Sequence, residues 1–295
     1  MNLPTKFPRS LSCTLLAALL TLSARAAAQT TTPATYTVTA ITISPKPVEK
    51  PALLYALLPG YAETEPGNAA LKYQLAMDLY LAGHDNIVAS NKNWEETLTH
   101  LREAPLADFD EAQAKTVLNY FNNPFKLLRE GARMDSISWG TSMHKDGYMT
   151  LLPYLSPLRA LSGILAISIR LDIKHHRWND ACDKLQTGFR MAHHMAEGET
   201  IIEVLVGNAM AAQMNNCLQD WIAEPDSPNI FWPIASLPQP FTSLRRAAQF
   251  ERAITVQFPR MEIPRRRLRE PRPVVELRTP LSGSQPWVHP GKLRF

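Results

Sequence analysis

The stretch from Pro153 to Glu197, PYLSPLRALSGILAISIRLDIKHHRWNDACDKLQTGFRMAHHMAE, decides the fold of this chain. Apolar residues recur there at helical spacing in two runs: Leu155, Leu158, Leu161, Leu165 and Ile169, then Trp178, Ala181, Cys182, Leu185, Gly188, Phe189, Ala192 and Ala196. Each run is typical of the buried face of an amphipathic helix. Because only a few residues around His175 separate the runs, we expect the two helices to fold back as an antiparallel hairpin.

Helical patterns extend on both sides of this hairpin. We predict helices near residues 67–82, 93–103, 108–122, 124–132, 153–174, 177–197, 200–223 and 242–258. Two of these helices have a capping box at the start, Asp108 with Glu111 and Thr200 with Glu203, in which each side chain bonds the backbone N–H of the other residue. The sequence therefore predicts an all-α domain over residues 51–258, built from antiparallel helical hairpins.

The first 28 residues have the order of a secretory signal peptide. Lys6 and Arg9 precede an apolar stretch from Leu11 to Leu22, and small residues follow up to Ala28. A buried N-terminal helix is the alternative, but such a helix would hardly be followed by a cleavage-type site and a polar segment. We expect an exported protein, periplasmic or extracellular, with a Thr- and Pro-rich linker over residues 29–50. Alternation at residues 36–43 permits one edge strand there.

Residues 259–295 differ from the rest of the chain in composition. Arg outnumbers Lys by 8 to 1 there, against 10 to 9 between residues 29 and 258, and Pro is frequent. This composition predicts a disordered tail. A G+C-rich gene translated in the wrong reading frame gives a similar amino-acid composition, so we hypothesise that the C-terminus is frame-shifted or truncated.

The charge of the chain is unevenly distributed. The formal net charge is +4, but acidic residues outnumber basic ones by five between Gln29 and Phe258, so the excess positive charge lies at the two ends. We therefore expect no nucleic-acid partner. Outside the N-terminus no apolar run is long enough to span a bilayer, so we expect no transmembrane segment in the mature chain.

Common catalytic and nucleotide-binding motifs are missing from the sequence, and no cofactor is expected. The weak site candidates are Asp135, Trp139, His144 and Asp146, which fall in a helix-poor segment, residues 133–148, where a cleft could form. A connecting loop with one buried Trp is the alternative interpretation.

Histidines and cysteines offer two further candidates. His193 and Glu197 share a helix face, whereas His194 lies opposite the apolar stripe beside Arg190, so we expect His194 in solvent and no metal site. Cys182 and Cys217 would lie nearly level if helices 177–197 and 200–223 form an antiparallel pair. A disulfide closing a loop of about 34 residues would stabilise the fold by about 3–4 kcal/mol. Two small buried residues are the alternative.

Three stretches together carry a resemblance to a protein family. They are residues 53–73 (LLYALLPGYAETEPGNAALKY), residues 133–158 with Asp135, Trp139, Gly147 and Leu151-Leu152-Pro153, and the hairpin 158–210. They resemble uncharacterised exported proteins of planctomycetes and related bacteria. The resemblance implies an all-helical, partly tetratricopeptide-like body, and it supplies no catalytic residues.

The absence of catalytic motifs and the helical hairpins favour one class of function. We expect an exported α-helical scaffold or protein-interaction module without catalysis, which binds a protein partner that the sequence does not identify. The alternative is an exported hydrolase or metal-dependent enzyme with its site in residues 133–148.

Overall fold

The computed structural model describes residues 46–90, 93–141 and 143–257. It is 68% helical and 3% strand, so the predicted all-α class is confirmed. The helices are α1 (Ala69–Ser90), α2 (Trp94–Glu103), α3 (Glu111–Leu118), α4 (Asn122–Ala132), α5 (Met143–Asp146), α6 (Leu155–Lys174), α7 (Trp178–Ala196), α8 (Ile201–Ala223), α9 (Phe231–Ala235) and α10 (Arg245–Gln257). The predicted signal peptide, all but the end of the linker, and the predicted tail lie outside the described residues.

The predicted hairpin is present as α6 and α7, and α8 returns along both of them. The chain reverses between α6 and α7 at His176, whose φ of 55° lies in the left-handed region. Helix α8 begins at Thr200 with the predicted capping box. The Thr200 hydroxyl accepts from the Glu203 N–H, and the Glu203 carboxylate accepts from the Thr200 N–H at 2.9 Å. That cap fixes the turn between α7 and α8.

Helix α6 is the centre of the core, since every residue from Leu161 to Ile173 is buried. Two of these residues are charged. Arg170 donates to the Asp220 carboxylate at 2.7 Å, and also to the backbone carbonyls of the last turn of α2. Asp172 accepts from Arg177 and Lys184. Burial of these charges is tolerated because each one is paired.

Helices α7 and α8 approach each other closely at Gly207. A Cβ atom on this residue would lie 2.7 Å from the Ala192 carbonyl oxygen and 2.9 Å from the Ala196 Cβ. Both of these atoms belong to the rigid backbone or its first carbon, so neither can move aside. Glycine is therefore required at this contact for steric reasons.

A two-stranded parallel sheet lies at the start of α1 and was not predicted. Strand β1 (Glu65–Asn68) pairs with β2 (Met134–Ser136), bringing the residues before α1 next to those after α4. The helix start is predicted at residue 67, but α1 begins at Ala69 because the residues before it pair in the sheet. Helix α1 also extends to Ser90, beyond the predicted end at residue 82.

The predicted capping box of Asp108 with Glu111 is wrong. Asp108 closes a 3-10 turn, Leu106–Asp108, and α3 starts two residues later with Asp110 as its N-cap. The Asp110 side chain accepts from the Gln113 N–H at 2.9 Å. Either aspartate satisfies the sequence pattern for a cap, and the preceding turn decides which one is used.

A membrane-crossing helix needs both length and an apolar surface. Within the ranges that the structure describes, no helix has enough of both.

Candidate functional site

The loop at residues 137–141, part of the segment singled out from the sequence, is fixed to the small sheet. The Asn68 side chain donates to the Ser138 carbonyl at 2.7 Å and accepts from the Ser138 N–H at 2.8 Å. The Ser136 hydroxyl donates to the Gly67 carbonyl at 2.7 Å. These bonds connect residues about 70 positions apart and hold the loop against the start of α1.

Trp139 is the central side chain of this loop. Its ring is stacked on that of Tyr154, with centroids 4.1 Å apart and planes 7° from parallel. Gly140, next in the chain, has φ of 61°, a conformation that residues with a side chain rarely adopt. The glycine lets the backbone turn away after the indole, and Trp139 contributes to the lining of two cavities.

The first cavity, which we name the His194 cavity, has a volume of about 250 Å³. The loop forms one wall, the end of α7 and the α7–α8 turn form another, and α10 contributes the rim. Ser138 and Thr141 contribute hydroxyl groups to the lining, and its titratable side chains are His194, Glu197, Glu199, Glu203 and Arg246. Helix packing thus gathers one imidazole, three carboxylates and one guanidinium around Trp139.

His194 is fully buried, so the prediction that it lies in solvent is wrong. The reason is that the Tyr73 side chain of α1 reaches over the ring and the Met134 carbonyl of β2 lies beside it. The Tyr73 hydroxyl of α1 and Nδ1 of His194 lie 2.8 Å apart. Within the described residues, Nε2 of His194 has no hydrogen-bond partner of normal geometry. An amphipathic pattern identifies the most apolar face of a helix, but α7 is covered on more than that face.

Burial lowers the pKa of His194 to about 3, and the positive charge of Arg190 acts in the same direction. Glu197 and the Met134 carbonyl favour the charged ring, but they are outweighed. The imidazole is therefore neutral near pH 7. Burial also raises the pKa of Tyr73, so its hydroxyl keeps its proton.

Glu203 is buried and its carboxylate is fully engaged. One oxygen accepts from the Tyr154 hydroxyl at 2.7 Å, and the other accepts from the N–H and the hydroxyl of Thr200. Burial, together with the hydrogen bond to Glu203 and its charge, raises the pKa of Tyr154. The network joins the helix cap to the ring under Trp139, so it makes this wall of the cavity rigid.

The two remaining glutamates of the cavity are paired near its opening. Glu197 lies 3.3 Å from Nδ1 of His193, which confirms that these residues share a helix face. Burial opposes ionisation of Glu197, but the hydrogen bond and charge of His193, aided by the charge of Arg190, hold its pKa below its usual value. Glu197 is therefore ionised near neutral pH. The other glutamate, Glu199, lies 3.4 Å from the Arg246 guanidinium.

The second cavity has a volume of about 540 Å³ and shares Trp139, Gly140 and Thr141 with the first. Gln74 of α1 contributes to its wall. The other side chains that concern us are Asp146, Met149, Leu151 and Tyr154. Met149 and Leu151 are strongly exposed, so this cavity is open and largely apolar at its edge.

The structure separates the four candidates from the sequence. Asp135 lines neither cavity, and its carboxylate accepts from the Gly67 N–H at 3.1 Å as part of the sheet. Trp139 and Asp146 line the second cavity together. The side chain of His144 lies outside the described part of the structure.

Cys182 and Cys217 are free thiols in the structure, so the possible disulfide is not formed. Each thiol donates to a different carbonyl, that of Ala56 at 3.4 Å and that of Ala166 at 3.7 Å. Both residues are buried, as in the alternative interpretation from the sequence. Burial raises the pKa of the Cys182 thiol to about 11 and also raises that of Cys217, so neither is a reactive thiolate.

Within the described residues, the histidines and carboxylates are not arranged as a metal site. Among the described side chains, no group of three or more His, Cys, Asp or Glu residues is placed to hold a metal ion.

Comparisons with known protein families, curated proteins and solved structures gave no match for this chain. The family resemblance therefore stays a prediction from the sequence.

Proposed function

We propose that this protein is an exported, non-catalytic α-helical scaffold that binds a partner protein through the outer face of α1. The observation that carries the proposal is a row of exposed leucines on that helix. Leu71, Leu75 and Leu79 are 70%, 53% and 47% exposed, although leucine is usually buried in helices of this length.

The three leucines lie four residues apart, so they form a stripe along one side of α1, which we name the leucine stripe. The opposite side of α1 is apolar as well, since Tyr73 and Met77 are fully buried in the core. A helix that is apolar on all sides is normally covered on all sides. The uncovered stripe thus supports an interaction with another protein.

The surroundings of the leucine stripe suggest the chemistry of the partner. Gln74 follows the same side of α1 and lines the second cavity with Met149 and Leu151, so the apolar surface continues towards that opening. Lys72 is paired with Glu130 at 2.6 Å, and the Asp78 carboxylate, which accepts from the neutral Gln74 amide, is a negative charge beside the stripe. We therefore propose that the occupant is an amphipathic helix presenting apolar side chains at similar spacing.

Site-specific photo-crosslinking tests this proposal. A photoreactive residue at Leu75 should yield an adduct in the cells that make the protein, whereas the same residue at Leu205, 57% exposed on α8, should not. The adduct is identified by mass spectrometry, and the partner is then purified and titrated. Replacing all three leucines of the stripe by Gln should weaken its binding by at least about tenfold. The matched Leu205→Gln variant should bind normally.

Two results would contradict the proposal. Equal adducts at the two positions would show that the stripe is not a specific surface. An adduct formed only between copies of this chain would show that the stripe mediates self-association and not binding of a different protein. Sedimentation velocity would then show a dimer for the unaltered protein and a monomer for the triple variant.

The exported location is supported by the composition of residues 1–28 alone. Cleavage after Ala28 should leave a mature chain beginning at Gln29. Cell fractionation followed by N-terminal sequencing measures this. A chain recovered from the cytoplasm with Met1 intact would contradict export.

The second candidate is the hydrolase or metal-dependent enzyme with its site in residues 133–148. One observation favours it, which is that Trp139 and Asp146 line the same cavity. Metal analysis of the purified protein is the simplest test. Stoichiometric metal that is lost in the Asp146→Asn variant would support this candidate over the scaffold.

A further inference from the structure

A third cavity, of about 160 Å³, is formed by α6, α8 and the end of α2, and we name it the Arg102 cavity. Its polar lining consists of Arg102, Glu103, Arg159, Arg170, Gln213 and Asn216. Three arginines thus stand against one glutamate in a single lining. Over residues 29–258 acidic residues outnumber basic ones, so this cavity departs from the charge of the domain around it.

One of the three arginines is fully engaged by the protein. Arg170 donates to the Asp220 carboxylate at 2.7 Å and to the carbonyls of Leu101 and Ala104, and its side chain is almost completely buried. Since Asp220 also offsets its charge, Arg170 is a fixed part of the wall and not a binding group. The unbalanced positive charge of the lining comes from Arg102 and Arg159.

Neither of these two arginines has a carboxylate partner among the described residues. Arg102 donates from Nε to the Leu98 carbonyl and from Nη2 to the Thr99 hydroxyl, both at 3.2 Å, and both bonds stay within α2. Its Nη1 has no acceptor in the described part of the chain. Arg159 is exposed and bonds to no described residue. Both guanidinium groups can therefore donate to a ligand.

Gly163 brings the two side chains to the same side of α6. A Cβ atom on Gly163 would lie 2.8 Å from Nη1 of Arg102, so this nitrogen rests directly over the α6 backbone. Arg159 is four residues earlier, and side chains four residues apart lie on one helix face with about 5–6 Å between their Cβ atoms. Two unpaired positive charges therefore line one small cavity, and an anion bound there offsets their repulsion.

The Gln213 amide adds a further donor at the same place. Its Nε2 lies 3.6 Å from the same Cβ position on Gly163 and has no acceptor among the described residues. A phosphate group has at least three strong acceptor oxygens, and the arginine fork matches its geometry. The volume of the cavity is well below the roughly 300–1,000 Å³ of sites for drug-sized ligands. We propose that the Arg102 cavity binds a phosphate group, as the free ion or on a small organic ester.

Four variants of the lining test this proposal. Arg102→Gln and Arg159→Gln each remove one guanidinium, whereas Glu103→Gln removes the carboxylate that opposes an anion. Gly163→Ala places a methyl group against Nη1 of Arg102, which lies at the end of a flexible side chain and can move aside. Because alanine favours a helix more than glycine does, this variant should fold. Arg129→Gln is the matched control, since it removes an exposed arginine outside this cavity.

The experiment is calorimetric titration of the purified full-length chain at constant ionic strength with inorganic phosphate, glycerol phosphate and acetate. We expect phosphate or its ester to bind with a Kd below about 5 mM, and acetate to bind at least about tenfold more weakly. Tighter binding of the ester than of inorganic phosphate would identify an ester as the ligand. Equal or weaker binding of the ester would identify the free ion.

The variants should change phosphate binding in opposite directions. Arg102→Gln and Arg159→Gln should each weaken it by about fivefold or more, and Gly163→Ala by about threefold. Glu103→Gln should strengthen it by about twofold. Arg129→Gln should leave it unchanged. Thermal denaturation checks that each variant is folded, and if an arginine variant is not, the Gly163→Ala and Glu103→Gln variants decide.

Four outcomes would overturn the proposal. One is the absence of saturable phosphate binding at constant ionic strength. Binding that the lining variants leave unchanged would place the anion elsewhere on the chain. Equal weakening in Arg129→Gln would show that binding follows net charge and not this cavity. Acetate binding as tight as that of phosphate would assign the cavity to carboxylates. None of these outcomes depends on the leucine stripe.

Discussion

Two buried polar clusters of this protein differ in how completely their hydrogen bonds are satisfied. In the core, Arg170 and Asp172 of α6 are each engaged by several partners from neighbouring helices. Beside the 137–141 loop, Nδ1 of His194 is bonded to Tyr73, and Nε2 makes no hydrogen bond of normal geometry with the part of the chain that the structure describes. Both clusters come from packed helices and both contribute to a cavity: His194 lines the one of about 250 Å³ beside the loop, and Arg170 lines the smaller Arg102 cavity of about 160 Å³.

The difference indicates what each cluster does. A charge with all its bonds made inside the protein holds elements together, and Arg170 does so by joining α6, the end of α2 and α8. A donor left without a partner costs stability unless something else satisfies it. Complete hydrogen bonding therefore marks the Arg170 cluster as structural, whereas the His194 cluster is less completely bonded.

Removal of Arg170 should give the largest effect. Arg170→Met leaves Asp220 without its guanidinium and two carbonyls of α2 without a donor, so the free energy of unfolding should fall by about 3–5 kcal/mol. Urea denaturation measures it. The control is Arg129→Met, which breaks the exposed pair with Asp183 and should cost less than about 1 kcal/mol. Equal losses in the two variants would show that the buried cluster is not a specific support.

The His194 cluster should make stability depend on pH. The unfolded histidine binds a proton below about pH 6.5, whereas the folded one does so only near pH 3, so protons favour the unfolded state between these values. The free energy of unfolding should fall by about 1.4 kcal/mol per pH unit as the pH decreases from 6.5. Urea denaturation at about pH 6.5, 5.5 and 4.5 measures this slope. Because His194→Asn lacks the titrating ring, parallel curves for the two proteins would contradict the assignment.

A methyl group added at Gly207 should test how tightly the core is packed. Both clusters depend on this core. Gly207→Ala places a Cβ against the α7 backbone and should destabilise the fold by about 1–3 kcal/mol. Gly188→Ala is the matched variant on α7, where the new atom meets the movable Met214 side chain. A smaller thermal shift for Gly188→Ala than for Gly207→Ala is expected. The reverse order would show that the α7–α8 backbones can separate.

The smallest effect on stability should come from the surface that lies in neither cluster. Leu75→Gln changes an exposed side chain of the leucine stripe, so the free energy of unfolding should change by no more than about 0.5 kcal/mol. Thermal denaturation measures it. A loss above 2 kcal/mol, roughly that of a buried leucine, would mean that the stripe is covered within the protein.

Much of the helical framework could be predicted from local patterns. The α6–α7 hairpin and the Thr200–Glu203 cap follow from spacing and from short-range hydrogen bonds, which depend on residues a few positions apart. The false cap at Asp108 shows the limit of such patterns, because Asp110 fits equally well. Strands β1 and β2 were missed because their pairing joins segments about 70 residues apart.

The candidate site was predicted only in part. The segment 133–148 does contain Trp139 and Asp146, which line one cavity together, but Asp135 belongs to the sheet. Tyr73 and His194 carry no sequence signal that links them across 121 positions. A neutral buried histidine depends on which helix covers α7, and that covering is absent from the pattern of α7 itself.

The sequence by itself determined the helical class, the central hairpin and the turn from α7 to α8, because periodicity and capping act within one or two helical turns. Only the tertiary structure decided that Cys182 and Cys217 face different carbonyls, that the leucine stripe stays uncovered, and that His194 is enclosed. These outcomes depend on which faces meet after the helices pack. A single face pattern cannot specify that when helices such as α1 and α6 carry apolar residues on more than one face.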